Sequence, residues 1–220
     1  MTAALVSLAG PPGSGKTTAA TWLAAELSGQ LILEDYAGNP SLAESYAGRA
    51  ELRLAGQSWF LLSRVNQLAA ARWKPDGVIV TDYAFLQDVL YARIWLTGPD
   101  LAAYEALARQ VGPLVHPPEV IVWLDGPLPL LKTRIAGRAR DYERYFTDDF
   151  LLRLQRDYAA TLAHPPCPVI RVDISQRDLK LPEHRLWLVD QVRSVLRNTK
   201  RNTKITKTTK GTKKAKREKG

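Results

Sequence analysis

A single cysteine, Cys167, a single methionine and three histidines are spread over 220 residues. One thiol cannot close an internal disulfide, and a multi-cysteine zinc site is excluded with it. His116, His164 and His184 sit beside proline or in polar surroundings, without the spacing of metal ligands. Long hydrophobic runs are missing as well. The apolar opening "AALVSLAG" is far too short to cross a bilayer and has no basic residues before it. Neither a signal peptide nor a membrane span is expected, and a reducing cytoplasm fits the cysteine usage. No internal repeat is found.

An excess of one charge is also missing from most of the chain. The net charge of +9 resides in residues 198–220, "NTKRNTKITKTTKGTKKAKREKG", while residues 1–197 carry 21 basic and 21 acidic side chains. A nucleic-acid track would normally be basic, so the neutral body argues against one. The Lys/Thr tract has almost no apolar residues to offset its ordering entropy, and a disordered basic tail is expected there. It serves as a solubilising extension or makes loose, salt-sensitive contact with a polyanion.

What is present is a regular alternation. Strand-like runs at 3–9, 30–35, 77–82, 119–125 and 168–174 are separated by helical patterns at 16–28, 41–73 (in two pieces), 84–95, 100–111, 127–138, 147–163 and 183–197. Runs such as Val78-Ile79-Val80 lack polar alternation, as expected of strands covered on both faces. The order predicts an α/β fold, a five-stranded parallel sheet with helices on both faces, in one domain over 1–197. Ligands of such sheets gather at the carboxyl ends of the strands. Four strands end in or near an acid there: Glu34 and Asp35, Asp82, Asp125, and Asp173.

"GPPGSGKT", residues 10–17, matches the phosphate-binding loop G-x-x-x-x-G-K-[ST], set after a strand and before a helix. Gly10, Gly13, Ser14 and Gly15 bring backbone N–H groups toward phosphate, and Lys16, Thr17 and Thr18 open a helix with its positive end forward. Lys16 is expected at the β/γ-phosphates and Thr17 at Mg²⁺, so ATP with Mg²⁺ is the expected cofactor. Asp82 and Asp125 both qualify as the second metal-shell residue. Asp125 precedes Gly-Pro and a helix, which suits an N-cap, so Asp82 is preferred for the metal.

"KTRIAGRARDYERYF" puts Arg134 and Arg138 four apart on a helix, with Arg140 and Arg144 beyond. After the fourth strand of such a protein, an arginine-rich lid can clamp a phosphoryl group as its charge spreads. The acid pair in "QLILEDYAGNPSL" has a different logic. An enzyme that phosphorylates a neutral hydroxyl needs a base, whereas one that phosphorylates a phosphate uses arginines instead. An acid at this strand end therefore argues for an alcohol acceptor. The other acid would cap the turn before Asn39-Pro40, and spacing alone leaves Glu34 and Asp35 even.

Together these residues resemble the deoxynucleoside kinase family, in its bacterial deoxyadenosine/deoxyguanosine kinase branch, over about residues 3–175. "EDYAGNPSLAESY" resembles the family's E-x-x-x-x-N-P-x-L-x-x-x-Y segment, which implies Glu34 as base and Tyr46 at the sugar 3′-hydroxyl. "QSWFLLSR" resembles its nucleobase-reading helix, with Gln57 on the base edge. "RARDYE" resembles its lid, implying Arg138 and Arg140 on phosphate and Glu143 with Tyr46 at the 3′-hydroxyl. Arg64 and Asp88 match an Arg/Asp pair of relatives that accept purine deoxynucleosides or deoxycytidine, and thymidine is disfavoured. Physically, such a pair exchanges hydrogen bonds with an amino or keto group and penalises an analogue that leaves it unsatisfied. Trp59, Phe60 and Phe85 are candidates for stacking.

The chain departs from the family after strand 3. Asp82-Tyr83-Ala84 stands where most members carry Asp/Glu-Arg-Ser, so the arginine's work falls to the lid or to another side chain. The resemblance implies phosphoryl transfer from ATP to a deoxynucleoside 5′-hydroxyl in nucleotide salvage, by a homodimer. The alternatives are a nucleoside monophosphate kinase and, from another class, a P-loop ATPase tethered to nucleic acid by its tail.

Overall fold

The computed structural model describes residues 3–69, 73, 75–138 and 140–217, and from residue 200 the backbone only. Five strands form one sheet: β1 (Ala4–Ala9), β2 (Gln30–Ile32), β3 (Val78–Thr81), β4 (Val120–Asp125) and β5 (Val169–Asp173). Every neighbouring pair is parallel, in the order β2-β3-β1-β4-β5. β1 lies at the centre with all six side chains buried, which is why "ALVSLA" shows no polar alternation. β3 joins β1 on one side and β4 on the other, so the crevice that such a reversal opens lies at the end of β1.

The helices are α1 (Lys16–Glu26), α2 (Leu42–Tyr46), α3 (Arg53–Gln67), α4 (Gln87–Trp95), α5 (Gly98–Val111), α6 (Leu128–Arg138), α7 (Asp148–Leu162) and α8 (Pro182–Arg217). On one face of the sheet, Ala19, Ala20 and Leu23 of α1 and Leu188, Val189 and Val192 of α8 meet Val6, Val122 and Val172. On the other, Leu90 of α4 and Phe150, Leu151, Leu154 and Tyr158 of α7 pack on Ile121 and Trp123. Full burial of side chains such as Leu154 and Leu188 stabilises the fold by roughly 1.5–3 kcal/mol each. α7 has the helical spacing of one apolar face, and Thr147 caps its start by accepting the Phe150 N–H at 3.1 Å.

Two expectations need correction. The second strand ends at Ile32 and not at Asp35, because the chain leaves the sheet there: Glu34 bonds Asp82 beyond β3 through its main-chain N–H and Arg64 of α3 through its carboxylate. Asp125 is no helix cap: its carboxylate accepts from Gln155 at 2.7 Å and faces Arg171 at 3.5 Å. The backbone of α8 is helical from Pro182 to Arg217. A helix already nucleated on packed residues, Leu188 to Leu196, propagates at small cost per residue.

Candidate active site

The loop between β1 and α1 wraps backbone around an anion-sized space. Gly10 has φ +140°, and a Cβ there would lie 2.1 Å from the Leu124 carbonyl oxygen; Gly13, at φ +80°, would meet Leu131 O at 2.6 Å. Only glycine fits such approaches. No acid sits in the first turn of α1, so its N–H groups and positive end are unopposed. Lys16 folds back over this loop and donates to Gly10 O at 2.7 Å and Pro11 O at 3.0 Å. Burial pushes the Lys16 ammonium down to about 8, with Asp82 pulling the other way.

Asp82, at the tip of β3, joins two parts of the site. Its Oδ2 accepts from Thr17 Oγ1 at 2.7 Å, and its Oδ1 accepts from the Glu34 main-chain N–H at 2.8 Å. Burial raises the Asp82 carboxyl, and the hydrogen bond from Thr17 and the charge of Lys16 oppose that rise. Two hard oxygens, Thr17 Oγ1 and Asp82 Oδ2, stand together here. Mg²⁺ suits such a pair, since it keeps waters and takes one or two protein oxygens beside phosphates. Among the described residues no cluster of three or more His, Cys, Asp or Glu offers a full protein cage.

The acid pair separates cleanly. Asp35 turns outward and accepts the Gly38 N–H at 2.9 Å, capping the turn before Asn39. Glu34 is buried and turns inward, into a narrow cleft of about 40 Å³ that it shares with Lys16, Thr17, Tyr46, Arg64 and Glu143. Its Oε1 is bonded by Arg64 Nη2 and accepts from Gln87 Nε2 at 3.2 Å. Arg64 also holds Asp88 through Nη1. The guanidinium lies 4.9 Å from the centre of the Phe60 ring and 5.4 Å from that of Tyr83, a cation between two aromatic faces. α3 supplies Arg64 because its buried face reads Gly56, Gln57, Phe60, Leu61, Arg64, with polar residues where a core helix would have apolar ones. Burial raises the Asp88 carboxyl to about 6, against the pull of Arg64.

The arginine-rich segment closes one side. Arg138 forks Glu143, with Nε to Oε2 at 2.7 Å and Nη2 to Oε1 at 2.6 Å. Arg140 lies 4.9 Å over the Tyr36 ring and donates to Tyr142 Oη at 3.1 Å. Arg134 faces the far side of the phosphate loop, lining with Gly13, Ser14, Gly15 and Thr18 a second cavity of about 230 Å³. Arg144 is bonded to its neighbour Tyr145.

A family model described as "Deoxynucleoside kinase" matches residues 6–197. The chain belongs to the deoxynucleoside kinase family. It is accordingly an ATP-dependent phosphotransferase. The deoxyguanosine kinase of Bacillus subtilis is 28% identical over 188 residues, 82% of this chain and 91% of that one. The deoxyadenosine/deoxycytidine kinase of the same organism is 25% identical over 207 residues, covering 90% and 95%. Among solved structures, the deoxyadenosine kinase from M. mycoides with products dCMP and dCDP bound superposes with a TM-score of 0.75. It is 18% identical and matches over 87% of this chain and 99% of its own, a likeness that speaks for the fold.

Most of the site residues expected from the sequence either line one cleft or lie one step behind it. Lys16, Thr17, Glu34, Tyr46, Arg64, Arg138 and Glu143 meet around one cleft, with Asp82 tying Thr17 to Glu34. Gln57 and Asp88 are buried one step away and do not line that cleft; Gln57 is bonded to Tyr46, and Asp88 to Arg64. Glu143 is paired with Arg138 and not with Tyr46, whose phenol burial pushes up. Of the aromatics, Phe60 lines the cleft, while Phe85 packs with Leu61 and Ala92 in the core.

Tyr83 is fully buried and donates to Gln67 Oε1 at 2.6 Å, so it does not replace the family arginine at the site. Gln87, Tyr36, Tyr91, Tyr142 and Phe146 also line the cleft and were not anticipated. The tyrosines and Phe146 read as ordinary core residues. For Gln87 the one signal was adjacency to Asp88.

Proposed function

We propose that the enzyme transfers the γ-phosphate of ATP to the 5′-hydroxyl of a purine deoxynucleoside, deoxyadenosine or deoxyguanosine, with deoxycytidine as a weaker acceptor. The observation that carries this reading is the buried Glu34 carboxylate, held across the cleft from Lys16 and Thr17. A neutral hydroxyl needs a group to accept its proton, and Glu34 takes that role while Glu143 in the same cleft is forked by Arg138 and Asp82 is held by Thr17. The names of the two Bacillus relatives, both deoxynucleoside kinases, support the acceptor class.

In this reading the triphosphate lies on the phosphate loop, and Lys16 neutralises charge at the β/γ-phosphates. The donor nucleoside extends into the cavity beside Arg134 and Thr18. Thr17 and Asp82 hold Mg²⁺, which supplies charge neutralisation to the phosphates. Arg138 and Arg140 turn from Glu143 and Tyr142 toward the transferring group, whose charge spreads over its oxygens. Tyr46 and Glu143 orient the sugar, with Gln57 holding Tyr46. Arg64 and Asp88 read the nucleobase, since Asp88 Oδ2 and Arg64 Nε are buried without hydrogen-bond partners among the described residues. A cytoplasmic homodimer completes the proposal, and no described helix is long and apolar enough to cross a membrane.

Phosphoryl transfer from labelled ATP–Mg²⁺ to deoxyadenosine, deoxyguanosine, deoxycytidine, thymidine and their monophosphates tests it. Monophosphate should form from the purine deoxynucleosides, with thymidine poor. Diphosphate formed only from the monophosphates would assign the chain to nucleoside monophosphate kinases and leave Glu34 a structural acid.

A further inference from the structure

Glu34 is held asymmetrically. Arg64 and Gln87 both engage Oε1, and among the described residues no hydrogen bond to Oε2 accompanies them. Arg64 brings charge. Gln87 brings none, yet it is buried in the first turn of α4, where an unpaired amide would cost free energy.

Both ends of its amide are used. Nε2 donates to Glu34, and Oε1 accepts from Tyr158 Oη at 3.3 Å. An ionised carboxylate only accepts, so the amide has one workable orientation: nitrogen to Glu34, oxygen to the phenol. Tyr158 is itself fully buried, on the face of α7 that packs against the sheet.

We propose that Gln87 is a positioning residue for the general base, anchored by Tyr158, so that Glu34 is clamped at Oε1 and presents Oε2 to the acceptor hydroxyl. The inference rests on Glu34 being that base. The proton leaves the hydroxyl for Oε2 as the oxygen bonds to phosphorus and the bond to the ADP oxygen breaks. No other side chain at this position serves both partners. Methionine fills the space without a donor, and glutamate sets a second carboxylate against Glu34. The charged groups facing Glu34 are Lys16, Arg64, Asp82, Arg138 and Glu143, with Asp88 behind Arg64. None of them changes in a Gln87 substitution.

The experiment is single-turnover phosphoryl transfer by the full chain, across about pH 5 to 9, with the best purine deoxynucleoside of the panel. Gln87→Met should slow transfer roughly 10- to 100-fold, with KM for the nucleoside changed less than about threefold. Its acidic limb should move to higher pH, because the charged carboxylate loses a hydrogen-bond donor. Gln87→Glu should move that limb further in the same direction, as like charges resist sharing a site. Added to Glu34→Gln, Gln87→Met should cost nothing more, whereas a merely structural glutamine would add its own loss. Tyr158→Phe keeps the ring packing and removes the anchor together with the hydroxyl's hydrogen bond to the Gly10 main chain, so beside an unchanged ATP affinity it should shift the limb less and the same way even if Gln87→Met does not fold. A Glu34→Gln variant with wild-type rate and limb would overturn the base and this inference with it. An inactive Glu34→Gln beside wild-type rates and limbs in Gln87→Met or Tyr158→Phe would overturn the inference alone.

Discussion

The main-chain N–H of Glu34 donates to Asp82 Oδ1 at 2.8 Å, while Thr17 donates to the other oxygen of the same carboxylate. One side chain thus fixes the end of β2 against the start of α1. The proposed base and the proposed metal ligand share it, so neither moves without the other.

Asp82→Asn tests that sharing. The amide keeps the size of the carboxylate and loses its charge and one acceptor. We expect the Mg²⁺ concentration for half-maximal rate to rise about 10- to 100-fold. Turnover at saturating Mg²⁺ should also fall, since the Glu34 N–H then bonds a neutral amide oxygen, a weaker tether than the carboxylate. Mg²⁺ titrations of the initial rate separate the two effects.

Arg64 stands between two buried carboxylates, Glu34 and Asp88. Arg64→Met leaves both unpaired and should destabilise the protein by about 3–5 kcal/mol at neutral pH. Acid should relieve this. Burial holds Asp88 at about 6, above its ordinary 3.8, so the folded state binds that proton more tightly than the unfolded chain. Asp88 therefore favours folding most below about pH 4 and loses that contribution as pH rises through 6. Without Arg64 the carboxyl protonates more readily still, and the deficit against wild type should shrink between pH 7.5 and 5 in denaturant melts.

Lys16 gives ATP binding a pH dependence of the same sense, carried by a cation and set at higher pH. Its ammonium sits at about 8 because it is buried, and it is charged only below that value. A triphosphate binds the charged form better and so takes up a proton with the lysine. Affinity for ATP should be steady below about pH 7 and weaken as pH rises through 8. Calorimetric titration in two buffers of different ionisation enthalpy should show proton uptake near pH 8. A Lys16→Met variant should bind weakly without that dependence.

Contiguous chemistry was legible in the sequence and tertiary chemistry was not. Residues 10–17 carry their meaning locally: glycines, lysine and threonine at fixed spacing between a strand and a helix. The sheet was legible because its strands are buried on both faces and read as apolar runs. The choice between Glu34 and Asp35 was legible in the family resemblance but not in the spacing, since physically it depends on Gly38 three residues on and on Arg64 thirty residues away. Asp125 had the sequence context of a cap, but Gln155 on another helix claims it. Gln87 carries no pattern of its own, and only the packing of α4 against α7 makes it part of the site.

The central claim is that Glu34 takes a proton from a nucleoside hydroxyl. Glu34→Gln preserves shape and removes the basic oxygen, so it isolates that step. Wild type and variant should be compared in a single turnover of labelled ATP–Mg²⁺ with the preferred purine deoxynucleoside. The account predicts a rate lowered by about 10²–10⁴, ATP affinity unchanged and the acidic limb of the pH profile lost. A variant that transfers phosphate at the wild-type rate, with the limb intact, would contradict it.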